Sequence, residues 1–222
     1  FFLRGLIMLS NRQLFLNHVA QTSTAPLMLE IERAEGIYLY GADGKKYLDL
    51  IAGISVSNVG HSHPEVVKAV KEQAEKYMHL MVYGELVQSP QVKLAQQLIS
   101  LLPPSLNCCY FVNSGSEAIE GAMKLAKRAT GRKEIISFHN AYHGSTQGAL
   151  SIIGSEEFRN AYRPLLPSIK RLKFNDFNDL NEISNRTACV VVELIQGEAG
   201  VLVPDKGYLK SLERRCRETG TL

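Results

Sequence analysis

The sequence has little of what marks several large protein classes. Its four cysteines in 222 residues include no Cys-x-x-Cys pair, which argues against a disulfide framework and against structural zinc. No apolar run approaches the ~20 residues of a membrane-spanning helix. The 25 Lys and Arg residues nearly balance the 22 Asp and Glu residues, so no concentrated basic patch indicates nucleic acid or a membrane surface as a partner. These absences favour a globular protein of the reducing cytoplasm.

The composition allows a substantial core. Hydrophobic residues make up 45% of the chain and charged residues 21%, which excludes a disordered protein. The N-terminal part predicts a short helix over residues 11–20 and extended segments at 29–33, 37–40 and 46–50. The Gly41–Gly44 segment supplies a turn between the last two, since Gly and Asp tolerate positive φ. We therefore expect a small antiparallel element before the main domain.

From Pro64 onward the pattern changes to an alternation of helices and short apolar runs. Helices are predicted from residue 64 and over 91–101, and then over 116–130, 146–153, 176–184 and 206–219. The predicted strands are 108–112, 134–138, 169–174 and 188–195. The apolar run from Cys189 to Val192 is typical of a strand buried on both faces. The pattern predicts an α/β domain with a mostly parallel sheet, whose ligands bind beyond the carboxyl ends of the strands.

The segment after the strand 108–112 is a candidate anion site. Ser114 is a candidate helix N-cap and Glu117 follows three residues later, which predicts a capping box. Gly115 would let a ligand approach the backbone, and the N–H groups of the first turn, with the Ser116 hydroxyl, would face an anion. Ala118, Ala122, Ala126 and Ala129 would form a small face for packing on a sheet. The alternative is an ordinary capped helix without a ligand.

Two further loops follow predicted strands. Tyr142, His143 and Gly144 come after the strand 134–138, where an aromatic ring could stack on a flat heteroaromatic ligand. Glu193 and Glu198 lie at the end of the strand 188–195, where charged groups need partners or a polar ligand. The alternatives are a surface turn with a packed tyrosine and a loop whose carboxylates are satisfied by solvent and backbone amides.

Other site types find less support. His61 and His63 have metal-ligand spacing, but we expect no carboxylate or cysteine partner nearby and therefore no metal site. The phosphate-binding motif GxxxxGK[ST] is absent, and so is a GxGxxG loop after the first parallel strand. A nucleotide-binding α/β domain is therefore the weaker interpretation.

Taken in order, the three loops resemble the class III, fold-type I aminotransferases that use pyridoxal 5′-phosphate (PLP), the acetylornithine, ornithine and 4-aminobutyrate group. The resemblance runs from Pro26 to Leu222 and includes the segments 36–40, 43–49, 60–64, 113–118, 142–144 and 193–198. It implies a three-layer α/β large domain with a mostly parallel sheet, incomplete here, after a small N-terminal α+β segment. In this scheme residues 1–60 belong to the small domain and residues 61–222 to the PLP-binding domain.

The resemblance also implies residue roles. Ser114, Gly115 and Ser116 would form the phosphate cup, while Tyr142 would stack on the pyridine ring. The full cofactor-binding set is Ser114, Gly115, Ser116, Tyr142, His143 and Glu193, and the substrate-binding set is Ile54 and Glu198. An aliphatic residue at position 54 resembles the acetylornithine and aminobutyrate enzymes more than ornithine aminotransferase.

Two differences from the family pattern matter. Ser145 stands where many members have an arginine that binds the α-carboxylate of the amino acid, which leaves the amino donor open. The Asp that binds the pyridine nitrogen and the Lys that forms a Schiff base would both lie beyond Leu222. Lys124 and Lys127 match neither role. The resemblance therefore implies an N-terminal portion with no catalytic residue of its own, inactive alone.

For the intact protein, the resemblance implies transamination of an ornithine-like ω-amino donor, with N-acetylornithine as the first expectation and 2-oxoglutarate as the acceptor. That reaction belongs to arginine biosynthesis, and the family implies a homodimer. Two alternatives stay open. One is another ω-aminotransferase, acting on succinylornithine, ornithine or 4-aminobutyrate. The other is a truncated, non-catalytic binding or interaction protein with a PLP fold.

Overall fold

The computed structural model describes residues 9–81 and 84–222. Contacts divide the chain into two units, Phe1–Val92 and Lys93–Leu222. These units differ from the domain scheme with its boundary at residue 60, which follows from the family resemblance and stays a prediction. Each unit is described separately below.

The first unit contains the predicted antiparallel element. Helix α1 (Asn11–His18) precedes the strands β1 (Ile31–Glu35), β2 (Tyr38–Gly41) and β3 (Lys46–Leu48), which form one sheet in the order β1-β2-β3. Both pairings are antiparallel, as expected. Helix α2 (Pro64–Lys76) begins with its proline at the first helical turn, where no intrahelical N–H bond is lost.

A left-handed turn at residues 52–55 follows this sheet. All four residues have positive φ, between 49° and 65°, although only Gly53 is a glycine. Asp49 fixes the start of the turn, because its Oδ1 accepts hydrogen bonds from the N–H groups of Ile51 and Ala52 at 3.0 and 2.9 Å. The other oxygen of Asp49 lies 2.6 Å from His61 Nε2. The expectation that no carboxylate stands near His61 is therefore wrong, because folding brings together residues that are twelve positions apart.

Helix α3 (Ser89–Ser100) crosses the division between the units, and the second unit then alternates helices and strands. Its helices are α4 (Gly115–Thr130), α5 (Gln147–Ile152), α6 (Glu156–Arg159) and α7 (Tyr208–Thr219). Its strands are β4 (Glu134–Phe138), β5 (Ile169–Leu172) and β6 (Thr187–Val190). The sheet order is β5-β4-β6 and both pairings are parallel, which confirms the predicted sheet type.

The second unit has a hydrophobic core on each face of its sheet. Ile135 and Ile136 are both fully buried, and because successive strand residues point to opposite faces they belong to different cores. Ile135 packs with Met123 of α4, and Ile136 belongs to the cluster that contains Tyr208 of α7. The result is helix, sheet and helix in three layers. The carboxyl ends of the parallel strands consequently share one edge.

Four sequence predictions for this unit are wrong in detail. Residues 108–112 form no strand, because none of them has a ladder hydrogen bond to another described segment. Residues 176–184 form only a short 3₁₀ turn, Asp179–Glu182, since the Asp176 and Asp179 side chains accept backbone N–H bonds that compete with a helix. The last strand ends at Val190 rather than residue 195. In the alanine face, only Ala126 is buried, while the other three alanines are exposed.

None of the helices in residues 9–81 and 84–222 has the length and apolar character needed to cross a bilayer. Within the same residues, His, Cys, Asp and Glu side chains form no group of three that could hold a metal ion.

Candidate functional site

The three loops singled out in the sequence meet at the carboxyl edge of the parallel sheet. The Ser145 N–H donates to Ser116 Oγ at 3.3 Å, which joins the loop after β4 to the start of α4. The Tyr142 N–H donates to Glu193 Oε2 at 3.2 Å, which joins the same loop to the segment after β6. The parallel order of β4 and β6 produces this convergence, since both loops leave the sheet at one edge.

The start of α4 is capped as predicted, but the capping box is incomplete. Ser114 Oγ accepts from the Glu117 N–H at 3.2 Å, which is the N-cap contact. The Glu117 carboxylate does not return this bond to Ser114. It accepts instead from the Asn113 N–H at 2.7 Å and from Asn113 Nδ2 at 3.1 Å. The carboxylate therefore fixes the residue before the cap.

This arrangement leaves donors available at the helix N-terminus. The N–H groups of Gly115 and Ser116 have no acceptor among the described residues. Ser116 Oγ accepts from the Ser145 N–H, so its own hydroxyl hydrogen is free to donate elsewhere. Two aligned N–H groups, a hydroxyl and the dipole of a 16-residue helix together favour a negatively charged group.

Gly144 allows the loop after β4 to approach Ser116. A Cβ atom at this position would lie 2.0 Å from Ser116 Oγ and 2.8 Å from Ser116 Cβ. The residue also has a φ of +116°, which side chains rarely adopt. Glycine is therefore required here for two separate reasons, and the contact between Ser145 and Ser116 depends on it.

Tyr142 and His143 are adjacent but lie in different environments. Tyr142 is 43% exposed, so part of its ring is accessible to a ligand. His143 is buried, and its Nε2 atom has no hydrogen-bond partner among the described residues. Burial lowers the pKa of His143 from 6.5 to about 4. At neutral pH this histidine is uncharged and adds no positive charge to the site.

The remaining predicted site residues are placed as follows. Glu193 is half-buried, and its only described partner is the Tyr142 N–H. Glu198 is exposed and forms no hydrogen bond or ion pair with the described part of the chain. Ile54 belongs to the first unit, where it is 76% exposed within the left-handed turn. The binding roles assigned to these residues stay predictions.

Two residues that brace the site were not in the predicted set. Glu120 Oε1 accepts from Thr146 Oγ1 and from the N–H groups that open α5. Gln196 is buried, and its Nε2 donates to the carbonyl oxygen of His139 at 2.9 Å, which ties the loops after β4 and β6 together. The sequence could have pointed to Glu120, because it lies one helical turn after Ser116 and residues four apart share a helix face.

Comparisons with known proteins agree on one family. The chain matches the profile described as aminotransferase class-III over residues 19–222. It is 41% identical over 208 residues to the acetylornithine aminotransferase of Archaeoglobus fulgidus, covering 92% of this chain and 54% of that relative. The fold is similar to that of adenosylmethionine-8-amino-7-oxononanoate aminotransferase from Methanocaldococcus jannaschii, with a TM-score of 0.87 and 30% identity over 95% of this chain and 53% of that one.

A third match carries a cofactor. The taurine:2-oxoglutarate aminotransferase of Bifidobacterium kashiwanohense, solved in complex with PLP and glutamate, has a TM-score of 0.84 and 29% identity over 94% of this chain and 53% of that chain. The chain thus spans about half the length of the relatives it matches. These structures confirm the predicted fold-type I α/β architecture. Since the profile, the sequence identity and the fold agree over nearly the whole chain, it belongs to the class-III aminotransferase family.

Proposed function

We propose that the intact protein is a PLP-dependent aminotransferase that moves the ω-amino group of an ornithine-like donor, N-acetylornithine, to 2-oxoglutarate in arginine biosynthesis. The similarity to an acetylornithine aminotransferase supports this donor. The observation that carries the proposal is the convergence at the sheet edge. There the α4 N-terminus, whose free donors favour an anion, lies beside the accessible ring of Tyr142 and the carboxylate of Glu193.

The residues at this edge fit the phosphate and ring of PLP. The N–H groups of Gly115 and Ser116 and the Ser116 hydroxyl would donate to the phosphate. We call these three donors the cradle; a side chain at position 144 would enter the space beside them. The Tyr142 ring would cover one face of the pyridine. Glu193, held by the Tyr142 N–H, would line the cofactor side of the pocket. When bound, PLP supplies an electron sink for charge that develops next to the amino nitrogen of the substrate.

Substrate selection is the finer part of the proposal. Ile54 would line the substrate pocket. Glu198 would act as the gate carboxylate, which can pair with an arginine that otherwise binds a substrate carboxylate. The Ser145 side chain is an uncharged hydroxyl, so it has no positive charge to offer an α-carboxylate. The support for N-acetylornithine therefore comes from the similarity to an acetylornithine aminotransferase, because this donor keeps its α-carboxylate.

We also propose that the 222-residue chain by itself does not catalyse the reaction. Lys124 and Lys127 both lie within α4, in its second half, and neither matches the family's cofactor-binding lysine. Borohydride treatment of this chain with PLP, followed by peptide mapping, tests the idea. A single specific pyridoxyl-lysine within residues 1–222 would contradict it. We further propose that the intact protein is a homodimer in the cytoplasm, and sedimentation of the intact protein tests the dimer.

The activity is tested by absorbance spectroscopy of the intact protein loaded with PLP. N-acetylornithine is expected to change the cofactor spectrum and 2-oxoglutarate to restore it, with glutamate as a product. Succinylornithine, ornithine and 4-aminobutyrate are run in parallel, and a response to one of these alone would replace the proposed donor. A cofactor spectrum that no amino donor alters would instead indicate a non-catalytic binding protein.

A matched pair of serine variants tests the cradle. Ser116→Ala removes the hydroxyl proposed to donate to the phosphate and is expected to weaken PLP binding about ten-fold, as for loss of one hydrogen bond to a charged group. Ser105→Ala changes an exposed serine in the turn before residue 108 and is expected to leave the affinity unchanged. Equal affinities in the two variants would refute the assignment of Ser116.

A further inference from the structure

Glu120 makes three hydrogen bonds with a single carboxylate oxygen. Its Oε1 accepts from Thr146 Oγ1 at 2.7 Å, from the Gly148 N–H at 2.7 Å and from the Ala149 N–H at 3.2 Å. The carboxylate stands on the second turn of α4, whereas all three donors belong to the start of α5. One side chain therefore joins two helices that are separated by a strand in the sequence.

The Glu120 carboxylate makes the hydrogen bonds that the side chain of an N-cap residue would normally make at the start of α5. Thr146 occupies the N-cap position, but its side chain makes no capping bond within its own helix and donates to Glu120 instead. The N–H groups of Gly148 and Ala149 belong to the first turn, which has no intrahelical acceptors. Both residues are buried, so water is a poor substitute for the lost partner.

Gly148 shows that the chain is shaped around this carboxylate. A Cβ atom at position 148 would lie 2.1 Å from Glu120 Oε2 and 2.7 Å from its Cδ. The backbone of Gly148 is not in the left-handed region, so conformational freedom does not explain the glycine. The close approach of Glu120 does.

The same contacts act on the start of α4. Ser116 and Glu120 are four residues apart and share one face of the helix. Their partners Ser145 and Thr146 are neighbours in the loop after β4, so the two contacts form adjacent links between this loop and α4. Loss of the Glu120 link would free the loop that supplies the Ser145 N–H, and the Ser116 hydroxyl would lose the contact that orients it.

We propose that Glu120 is a positioning residue for cofactor binding: by capping α5 it holds residues 144–146 against α4 and so orients Ser116 toward the PLP phosphate. This inference rests on the proposed function, because it takes PLP as the ligand of the α4 N-terminus. Glu120 itself touches no ligand in this scheme.

The test is a double-mutant cycle on Glu120 and Gly148 in the intact protein, with PLP as the probe. Glu120→Ala removes the carboxylate, and Gly148→Ala displaces it by a steric clash. Each is expected to weaken PLP binding about ten-fold, and the double variant is expected to be no weaker than either, because both changes break one contact. Glu120→Gln retains an acceptor oxygen and is expected to recover most of the affinity. Glu213→Ala, an exposed carboxylate on α7, is the matched control.

The affinities are measured at a temperature well below the thermal unfolding midpoint of each variant. Under these conditions, replacing a residue that only stabilises the fold would leave PLP binding unchanged. Equal PLP affinity in Glu120→Ala and the wild-type protein would overturn the inference and leave the proposed function intact. Additive losses in the double variant would overturn it as well. If Glu120→Ala does not fold, Thr146→Val, which removes a single hydrogen bond, takes its place under the same criteria. A wild-type protein that does not bind PLP would refute the proposed function instead.

Discussion

Gly144→Ala is the sharpest perturbation of the candidate site. The added methyl carbon would lie 2.0 Å from Ser116 Oγ and 2.8 Å from Ser116 Cβ, so a change of the serine rotamer alone cannot relieve the overlap. The loop or the start of α4 must move, and the 3.3 Å hydrogen bond between the Ser145 N–H and Ser116 Oγ is lost. The variant thus disturbs the Ser116 hydroxyl by steric overlap while leaving every proposed donor group chemically intact.

The magnitude follows from two contributions. A side chain at a φ of +116° costs about 1–3 kcal/mol, and the lost hydrogen bond adds about 1 kcal/mol. The free energy of unfolding should therefore fall by roughly 2–4 kcal/mol. If Ser116 no longer reaches the phosphate, loss of a bond to a charged group worth about 1.5–3 kcal/mol weakens PLP binding roughly ten- to hundred-fold.

Chemical denaturation and PLP titration of the intact protein measure the two effects. Gly197→Ala is the control, because a Cβ atom there meets nothing within 4 Å and its φ is not positive. Wild-type affinity and stability in Gly144→Ala would refute the contact between this loop and Ser116. A loss of stability without a loss of PLP affinity would refute the assignment of Ser116 to the phosphate.

Three further predictions concern stability. The pKa of His143 is about 4 in the folded protein against 6.5 in the unfolded chain, so the unfolded state binds more protons between these pH values. The free energy of unfolding should therefore fall by up to about 3 kcal/mol as the pH drops from about 7 to 4. His143→Gln should flatten this pH dependence in denaturation experiments. Asp49→Ala frees the left-handed turn and should lower the thermal midpoint by several degrees, whereas Asp43→Ala in an exposed turn should not. Arg132→Ala removes donors to the carbonyl oxygens of three residues and should cost about 1.5–3 kcal/mol in denaturant, against almost no change for the exposed Arg128→Ala.

Each of these has a contradicting result. A pH slope that is identical with and without His143 would mean that this histidine is not buried in neutral form. Equal midpoints for the two aspartate variants would remove the role of Asp49 in the turn. A stable Arg132→Ala variant would show that water replaces its guanidinium at no cost.

The local pattern in the sequence predicted the parallel sheet and most of the helices. Apolar runs bounded by turn residues located β4, β5 and β6, and Ser114 located the start of α4, since capping and periodicity act over a few residues. The run 108–112 shows the limit of this reasoning. It is apolar enough for a strand, but a strand needs a hydrogen-bonded neighbour, which the described residues do not provide.

The tertiary structure decided the contacts that complete the site. Glu117 was predicted to close a capping box, but its carboxylate binds Asn113, and the acceptor that caps α5 comes from Glu120 on another helix. His61 was taken to lack an acidic neighbour, and folding places Asp49 at 2.6 Å from it. Such pairings join residues from 4 to 29 positions apart, and no local propensity encodes the longer ones.

The sequence by itself determined which residues could line the carboxyl edge of the sheet: the apolar runs of β4 and β6 place Tyr142 and Glu193 after strand ends, and Ser114 marks the helix start beside Ser116. Only the tertiary structure decided how these groups are held. The Ser145 N–H and the Glu120 carboxylate act through hydrogen bonds of 2.7 to 3.3 Å, and Gly144 leaves the space that the Ser145 contact needs. These contacts arise only when separate segments pack together. Packing at that scale depends on the summed volumes and hydrogen-bonding needs of the whole unit, which a short sequence window does not contain.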